Sequence, residues 1–348
     1  MTTRRGFVGG LAVAAFAARG LWAQPLPAAP TTRPNIAQID RERILRGAAV
    51  VVSVPTARQT PDSPEFLAFT LSVPALAAAV AVDAANAEKY RAAAGSQLRS
   101  WFVADGTRLV AAPDLNEKEF GKVTDLCALA EMCVALPFLG LEDELMTAVK
   151  DWFAVRLKWL TENRTALLAR DAKDHHGASW LLQTAAAAKL TGNDTVTTDC
   201  RHRFKTVTIR AEINADGLFP HELTNENPFR NSLFNLDLLG GACQLLSTQF
   251  DSVWDHELQD GPGMRAAVAK HAYYIKERVK WPYPADVKHF NLLPGRRPAL
   301  VFAGRAYSVA EYVTLWRGLN PDPTETEILR TFPIRQPLLW MGQPRVVV

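Results

Sequence analysis

The chain lacks the signatures of several common chemistries. It has no glycine-rich phosphate loop, no Ser-His-Asp elbow and no CxxC or zinc-ligand spacing, so nucleotide, esterase and thiol chemistry have no support. Cysteine is scarce, with four residues in 348. Cys127 and Cys133 lie six apart in a helical stretch and point in different directions, while Cys200 and Cys243 are isolated, so no disulfide is expected. Charge is nearly balanced, with 39 Lys+Arg against 36 Asp+Glu, and there is no basic run of the sort that nucleic-acid binding needs. Tyrosine is absent between Tyr90 and Tyr273. Runs that alternate with a period of two are few. Thr206 to Arg210 is locally β-rich, and Ala48 to Val54 reads as a short strand or a helix start. Beyond the N-terminal thirty residues no segment reads as long and apolar enough to span a bilayer.

Those thirty residues read as a leader. Thr3-Arg4-Arg5-Gly6-Phe7-Val8 matches a twin-arginine export signature, and an apolar stretch from Val8 to Ala18 follows that is too short for a span. Small residues and Pro/Ala-rich sequence from Ala23 to Pro34 place cleavage near Ala23 or Ala29. The expectation is a signal peptide over 1–30, a periplasmic or secreted product with no membrane association after cleavage, and one domain over 31–348. An uncleaved anchor is the alternative. Folding before export by this route removes any need for disulfides.

The whole chain is 48% apolar in composition, and after the leader it reads as helix after helix. Leu141 to Leu160 places Leu145, Val149, Trp152, Phe153, Leu157 and Leu160 close to a 3.6-residue period. Val123 to Leu139, Ser179 to Leu190, Asn231 to Phe250, Gly263 to Val279 and Ala306 to Leu319 continue the pattern. Turn signals separate them, among them Asn214-Ala-Asp-Gly217 and Asp260-Gly-Pro-Gly263. Helices of similar length with short connections predict an all-α fold of hairpins in a ring, an (α/α) toroid. An irregular bundle is the other architecture that the periodicity permits.

The stretch richest in chemistry is Asp171-Ala-Lys-Asp-His-His-Gly-Ala-Ser-Trp180. Only seven histidines occur, and two of them sit side by side in a polar turn before an apolar helix. Histidine titrates nearest neutrality, which suits proton transfer; a helix cap with a surface histidine is the plainer reading. Three further segments stand in order after it. They are Ile213-Asn-Ala-Asp-Gly-Leu-Phe-Pro-His-Glu-Leu-Thr224, then Asn225-Glu-Asn-Pro-Phe-Arg-Asn-Ser-Leu-Phe-Asn-Leu-Asp-Leu238, then Arg330-Thr-Phe-Pro-Ile-Arg-Gln-Pro-Leu-Leu-Trp340.

Together with the tryptophan-rich helix from Trp152 to Trp159, this ordered set resembles the alginate-lyase superfamily, nearest to polysaccharide lyase families 5 and 38, over roughly residues 95 to 340. The resemblance implies an (α/α) toroid and β-elimination on a uronic-acid polymer, with alginate or β-1,4-glucuronan as substrate. Such a reaction needs the sugar carboxylate neutralised, a base for the C5 proton and an acid for the leaving O4. The family pattern is Lys-Asn-Asn-His-Gly. His176 falls on its histidine and is expected as base or acid. His175 falls on its second asparagine and Asp174 on its first, with Asp174 expected to orient His175 or hold it protonated.

The resemblance has a second departure. Where many relatives carry an arginine and then a tyrosine, this chain has Asn225 and Asn231. Arg230 with Asn231 is expected to take over the carboxylate, with His176 serving as both base and acid, or with Tyr273, Tyr274 or Tyr283 reaching the cleft. Arg230 paired with Glu226 or Asp237 is the structural alternative. Lys173, Asn225 and His221 are further substrate-binding candidates, and Trp180 is read as a sugar-stacking platform or as core. Glu222 is expected to anchor the loop that follows it.

Three other readings stay open at this point. A non-catalytic polyuronate-binding protein is one. A toroid glycoside hydrolase is another, drawing two carboxylates from Asp174, Asp216, Glu222 and Asp237. A metal site could use Asp174, His175, His176 and His221, but neighbouring histidines are expected to diverge, so no metal or other cofactor is assigned. A monomer is expected.

Overall fold

Ser63 starts the first long element by accepting a hydrogen bond from the Phe66 amide, with Pro64 at the first helical position. The computed structural model describes residues 35–341, so the expected leader lies outside the described residues. In chain order the helices are α1 (Ile36–Ile39), α2 (Arg41–Ala48), α3 (Pro64–Val82), α4 (Ala87–Leu98), α5 (Leu129–Leu139), α6 (Asp143–Glu162), α7 (Arg164–Asp171) and α8 (His175–Thr191). There follow α9 (Asp194–Arg203), α10 (Ile209–Glu212), α11 (Pro228–Leu246), α12 (Met264–Lys276), α13 (Pro298–Ala306), α14 (Ala310–Gly318), α15 (Thr326–Leu329) and α16 (Pro337–Met341). No strand occurs among the described residues; the one β-type pairing is an isolated bridge between Glu257 and Gly263.

Five helices form the inner layer: α3 packs on α5, α5 on α8, α8 on α11 and α11 on α13. Their residues are buried on nearly every face, Phe69, Val73, Leu136, Leu182, Leu236 and Leu300 among them. A second layer backs them, with α4 on α3, α6 and α9 on α8, α12 on α11 and α14 on α13. This is the expected (α/α) toroid. Helix α16 packs against α3, α5, α11 and α13. It is held by Glu131 of α5, whose buried carboxylate accepts from the Arg335 and Gln336 amides (2.8 and 2.7 Å) and from the Trp340 indole (3.2 Å).

Several expected elements shift. The helix expected over Val123 to Leu139 is two, a 3₁₀ helix Glu117–Leu126 followed by α5. Thr206 to Arg210 is not extended: Phe204–Thr208 is a π-helical turn running into α10. Ala48 to Val54 forms no strand. Helix α3 went unrecognised. Contrary to expectation, it is long and apolar enough to cross a membrane, yet most of it is buried inside the protein. An apolar core helix and a span share that composition, and only the packing of α2, α4 and α5 around α3 separates them. All four cysteines are free and buried.

One buried ion pair ties the inner ring together. Arg297, at the start of α13, and Asp237 of α11 are both fully buried, with Nη1 3.2 Å from Oδ2. Asp237 also accepts from the Ala299 amide, and Arg297 donates to the Pro294 and Thr331 carbonyls. Burial pushes the Asp237 carboxyl up to about 6 against the pull of Arg297. Removing one partner strands the other charge in an apolar interior. Arg297→Ala is therefore expected to cost about 3–5 kcal/mol, read as a fall in the denaturant midpoint at unchanged helix content in buffer.

Candidate active site

Helix α8 begins at the histidine pair. Asp174 is its N-cap, accepting from the His176 amide at 3.0 Å, and Gly192 ends it in the left-handed conformation at φ 71°. Gly177 is required by contact: a β-carbon there would stand 2.3 Å from the Ala172 carbonyl oxygen and 3.2 Å from Glu212 Oε1. The His-His-Gly order thus lets the first turn of α8 press against the chain before it while both imidazoles stay on the rim.

Each histidine has its own carboxylate. The Asp174 Oδ1 lies 2.9 Å from His176 Nδ1. Burial opposes ionisation of Asp174, but the hydrogen bond and charge of His176, with the charge of His175, hold its carboxyl down at about 2. At neutral pH Asp174 can therefore only accept, so His176 Nδ1 carries a proton, and in the neutral ring the lone pair is on Nε2. That nitrogen faces Gly121 of the 3₁₀ helix, where a β-carbon would come within 3.2 Å of it. Phe120 packs beside the same ring, centroids 5.5 Å apart.

His175 is bound to Glu222, whose side chain is fully buried. Its Nδ1 lies 2.9 and 3.0 Å from the two carboxylate oxygens, and its amide donates to Oε1 at 2.6 Å. Burial disfavours the charged ring. The Glu222 hydrogen bond, the Glu222 charge and the Asp174 charge together outweigh that and raise its pKa above the ordinary imidazole value. Asp174 therefore pairs with His176 rather than orienting His175; its charge does favour the protonated His175, as expected, but Glu222 contributes more. Beneath both lies Glu212, buried and accepting from Asn235 Nδ2 at 3.0 Å. Burial, with the charges of Glu222 and Asp174, lifts its carboxyl far above the carboxylate range despite the Asn235 bond.

The two rings stand 4.2 Å apart, tilted by 32°. Neighbouring histidines thus converge, contrary to expectation, and one ligand atom from each of Asp174, His175 and His176 falls within 4.8 Å of the others. Both Nδ1 atoms are already bound to separate carboxylates, so a cation would have to compete with those bonds. His221 is exposed and offers its carbonyl to the Thr224 hydroxyl.

The remaining candidates separate. Asn225 spends its amide on Glu222 Oε2 at 3.0 Å, steadying the carboxylate that holds His175. Trp180 is 5% exposed, donates to the Leu160 carbonyl and lies under Arg203, which leaves no ring face for a sugar. The core reading of Trp180 replaces the platform. Lys173 is exposed and Asn231 half-buried. Arg230 pairs with neither Glu226 nor Asp237 but with Glu327, at 3.5 Å. One turn further along α11, Phe234 packs against His175 with centroids 5.5 Å apart, and it lines a cavity of about 190 Å³ together with Asp125, Leu329 and Arg330. Asp125 and Arg330 escaped the sequence reading. Asp125 lies close enough to feel the charges of both His176 and Arg330.

Tyr274 and Tyr283 pack edge-on against Trp281, and Tyr273 against Tyr274, while Trp281 rests on Phe229. Three of the four carboxylates named for a hydrolase are committed elsewhere: Asp237 to Arg297, Glu222 to His175 and Asp174 to His176.

The Alginate lyase family profile matches residues 52–281. The chain belongs to this family. It is accordingly a polysaccharide lyase. An alginate lyase from Bacteroides ovatus superposes with a TM-score of 0.69 at 19% identity, covering 87% of this chain and 94% of that one. Alginate lyase A1-III from Sphingomonas species A1 gives 0.58 at 14% identity, covering 85% and 84%. No curated protein sequence matches the chain. Within this lyase the open space at Gly121 keeps His176 Nε2 accessible. Gly121→Ala is expected to lower turnover by about tenfold while the thermal midpoint holds, since the added methyl meets a movable ring rather than backbone.

Proposed function

We propose that this lyase cleaves a polyuronate, alginate or β-1,4-glucuronan, by β-elimination in which His176 moves the proton and His175 carries the charge. The observation that supports this is the pairing of each imidazole with a separate carboxylate, one leaving a free Nε2 lone pair and the other favouring the protonated ring. His175 in its cationic form neutralises the substrate carboxylate and makes the C5 proton removable. His176 Nε2 takes that proton. The electron pair left at C5 forms the C4–C5 double bond as the C4–O4 bond breaks, and the protonated His176 returns its proton to O4. No water is consumed, and the product is an unsaturated uronate. Since Asp174 stays ionised, it stabilises the imidazolium that forms between the two steps.

Export rests on the twin arginines Arg4 and Arg5, and we place the mature lyase in the periplasm or outside the cell on that ground. Ultraviolet absorbance with polymannuronate, polyguluronate and polyglucuronate tests the function and identifies the polymer. Absorbance should rise with at least one of them, and His176→Ala should abolish the rise while circular dichroism stays unchanged. Wild-type turnover in that variant would remove His176 from the mechanism. Exhaustive chelation is expected to leave the rate intact, because proton transfer and charge neutralisation are both supplied by side chains.

The pH dependence has a defined sign. Folding raises the His175 pKa, so the cation and the stability it brings are present at low pH and fade as pH rises through the raised value. Asp174 behaves oppositely: its contribution is present above the ordinary carboxylate value and is lost as pH falls towards about 2. Activity should therefore decline on the alkaline side as His175 deprotonates. His175→Asn should remove that decline at a reduced maximal rate, which a pH–kcat profile of the two proteins checks.

A further inference from the structure

A lysine, an arginine and a histidine converge on one half-buried carboxylate, Glu327. Glu327 of α15 accepts from Lys288 Nζ at 2.9 Å and lies 3.5 Å from both Arg230 Nη1 and His289 Nε2. The hydrogen bond from Lys288, then the charges of Lys288, Arg230 and His289, hold its carboxyl below the usual range although burial opposes them. The other carboxylate facing Arg230 is Asp286, and its two oxygens are already taken by the Phe229 and Arg230 amides at 2.8 and 3.0 Å. Arg230 is mostly buried, and its Nε is buried without a hydrogen-bond partner. His289 is held at φ 63°, a left-handed conformation uncommon outside glycine. The cluster thus has more positive charge and more donors than Glu327 uses.

Its position ties it to the reaction. Arg230 and Phe234 are four residues apart on α11 and share a face, with β-carbons about 5–6 Å apart. Phe234 packs on His175, and it lines the cavity together with Leu329 and Arg330, which follow Glu327 by two and three residues. A polymer with a carboxylate on every sugar, bound along the face of α11 that carries Phe234 and Arg230, would bring one carboxylate to His175 and a neighbouring one towards Arg230.

We propose that Arg230, Lys288 and His289 form a carboxylate-binding subsite for the uronate next to the one cleaved, and that Glu327 fills it in the ligand-free enzyme. The proposal rests on the polyuronate reading above. Glu327 serves as an internal stand-in for the substrate: it keeps the three cations oriented and yields them when a sugar carboxylate arrives. Arg230 then holds a second carboxylate, away from the reacting one.

Steady-state kinetics on the polymer that is turned over test this. Glu327→Gln should lower KM by about threefold and Lys288→Gln should raise it by about threefold, the size of a partly exposed ion pair. Added salt should raise the wild-type KM more steeply than that of Lys288→Gln. An unchanged or higher KM in Glu327→Gln would assign Glu327 a merely structural role and overturn the proposal, as would an unchanged KM in Lys288→Gln. Calorimetric binding of the same three polymers to wild type and Glu327→Gln reads the competition without turnover. A protein that binds more tightly after the substitution but forms no unsaturated product would retain the subsite and lose the lyase mechanism.

Discussion

The site depends on a carboxylate buried where no arginine or lysine answers it. Glu222 has no exposed surface, and its partners are the His175 ring, the His175 amide and the Asn225 side chain. An ionised group in that setting is tolerable only if its hydrogen-bond capacity is filled and a cation is close by. Those demands fix three things together. They dock the loop from 213 to 227 against the first turn of α8, they set the rotamer of His175, and they favour its protonated form. Glu212, beneath the pair, is kept from adding a second charge by the same burial. Electrostatics and loop position are one constraint here.

Much of this was legible in the sequence, and the misses have physical causes. Helix α6 shows a clear 3.6 period because only one of its faces is buried, whereas α3 is apolar nearly all round and so shows no period at all. Thr206 to Arg210 reads as β-rich because valine, isoleucine and threonine favour extended backbone locally; the helices on either side override that preference, and the stretch runs from a π-helical turn into α10. The histidine pair was identifiable from its rarity and its turn. Its division of labour was not, because the carboxylate on His175 lies 47 residues away and the one on His176 only two. Arg230 gave the same difficulty: its partner Glu327 lies 97 residues downstream. Trp180 was ambiguous in sequence because a tryptophan at a helix start serves a core as readily as a cleft, and the bond to the Leu160 carbonyl decides for the core.

The departures from the family pattern compensate one another. An asparagine at position 175 would offer a neutral donor to the substrate carboxylate, with the family arginine supplying the charge. Here Asn225 stands where that arginine is expected, and it binds the carboxylate that keeps His175 protonated. Under the mechanism proposed above, His175 supplies the positive charge that an arginine would, and Asn225 supports it through Glu222. An arginine at 225 beside Glu222 would instead draw that carboxylate away from His175. The two substitutions are thus coherent as a pair and disruptive singly.

The absent tyrosine has a parallel consequence. Tyr274 and Tyr283 are held in the aromatic cluster around Trp281, with Tyr273 against its edge, and burial pushes the Tyr283 hydroxyl upwards. The group assigned to protonate O4 in the mechanism proposed above is His176, backed by Asp174. If a single imidazole takes the C5 proton and returns it to O4, both atoms must lie on the same side of the sugar ring. That requirement restricts which C5 epimer can be cleaved, because inversion at C5 turns the proton to the opposite face. Under the mechanism proposed above, substrate choice would follow from the number of proton carriers, and the polymer whose C5 hydrogen and O4 share a face would be the one cleaved.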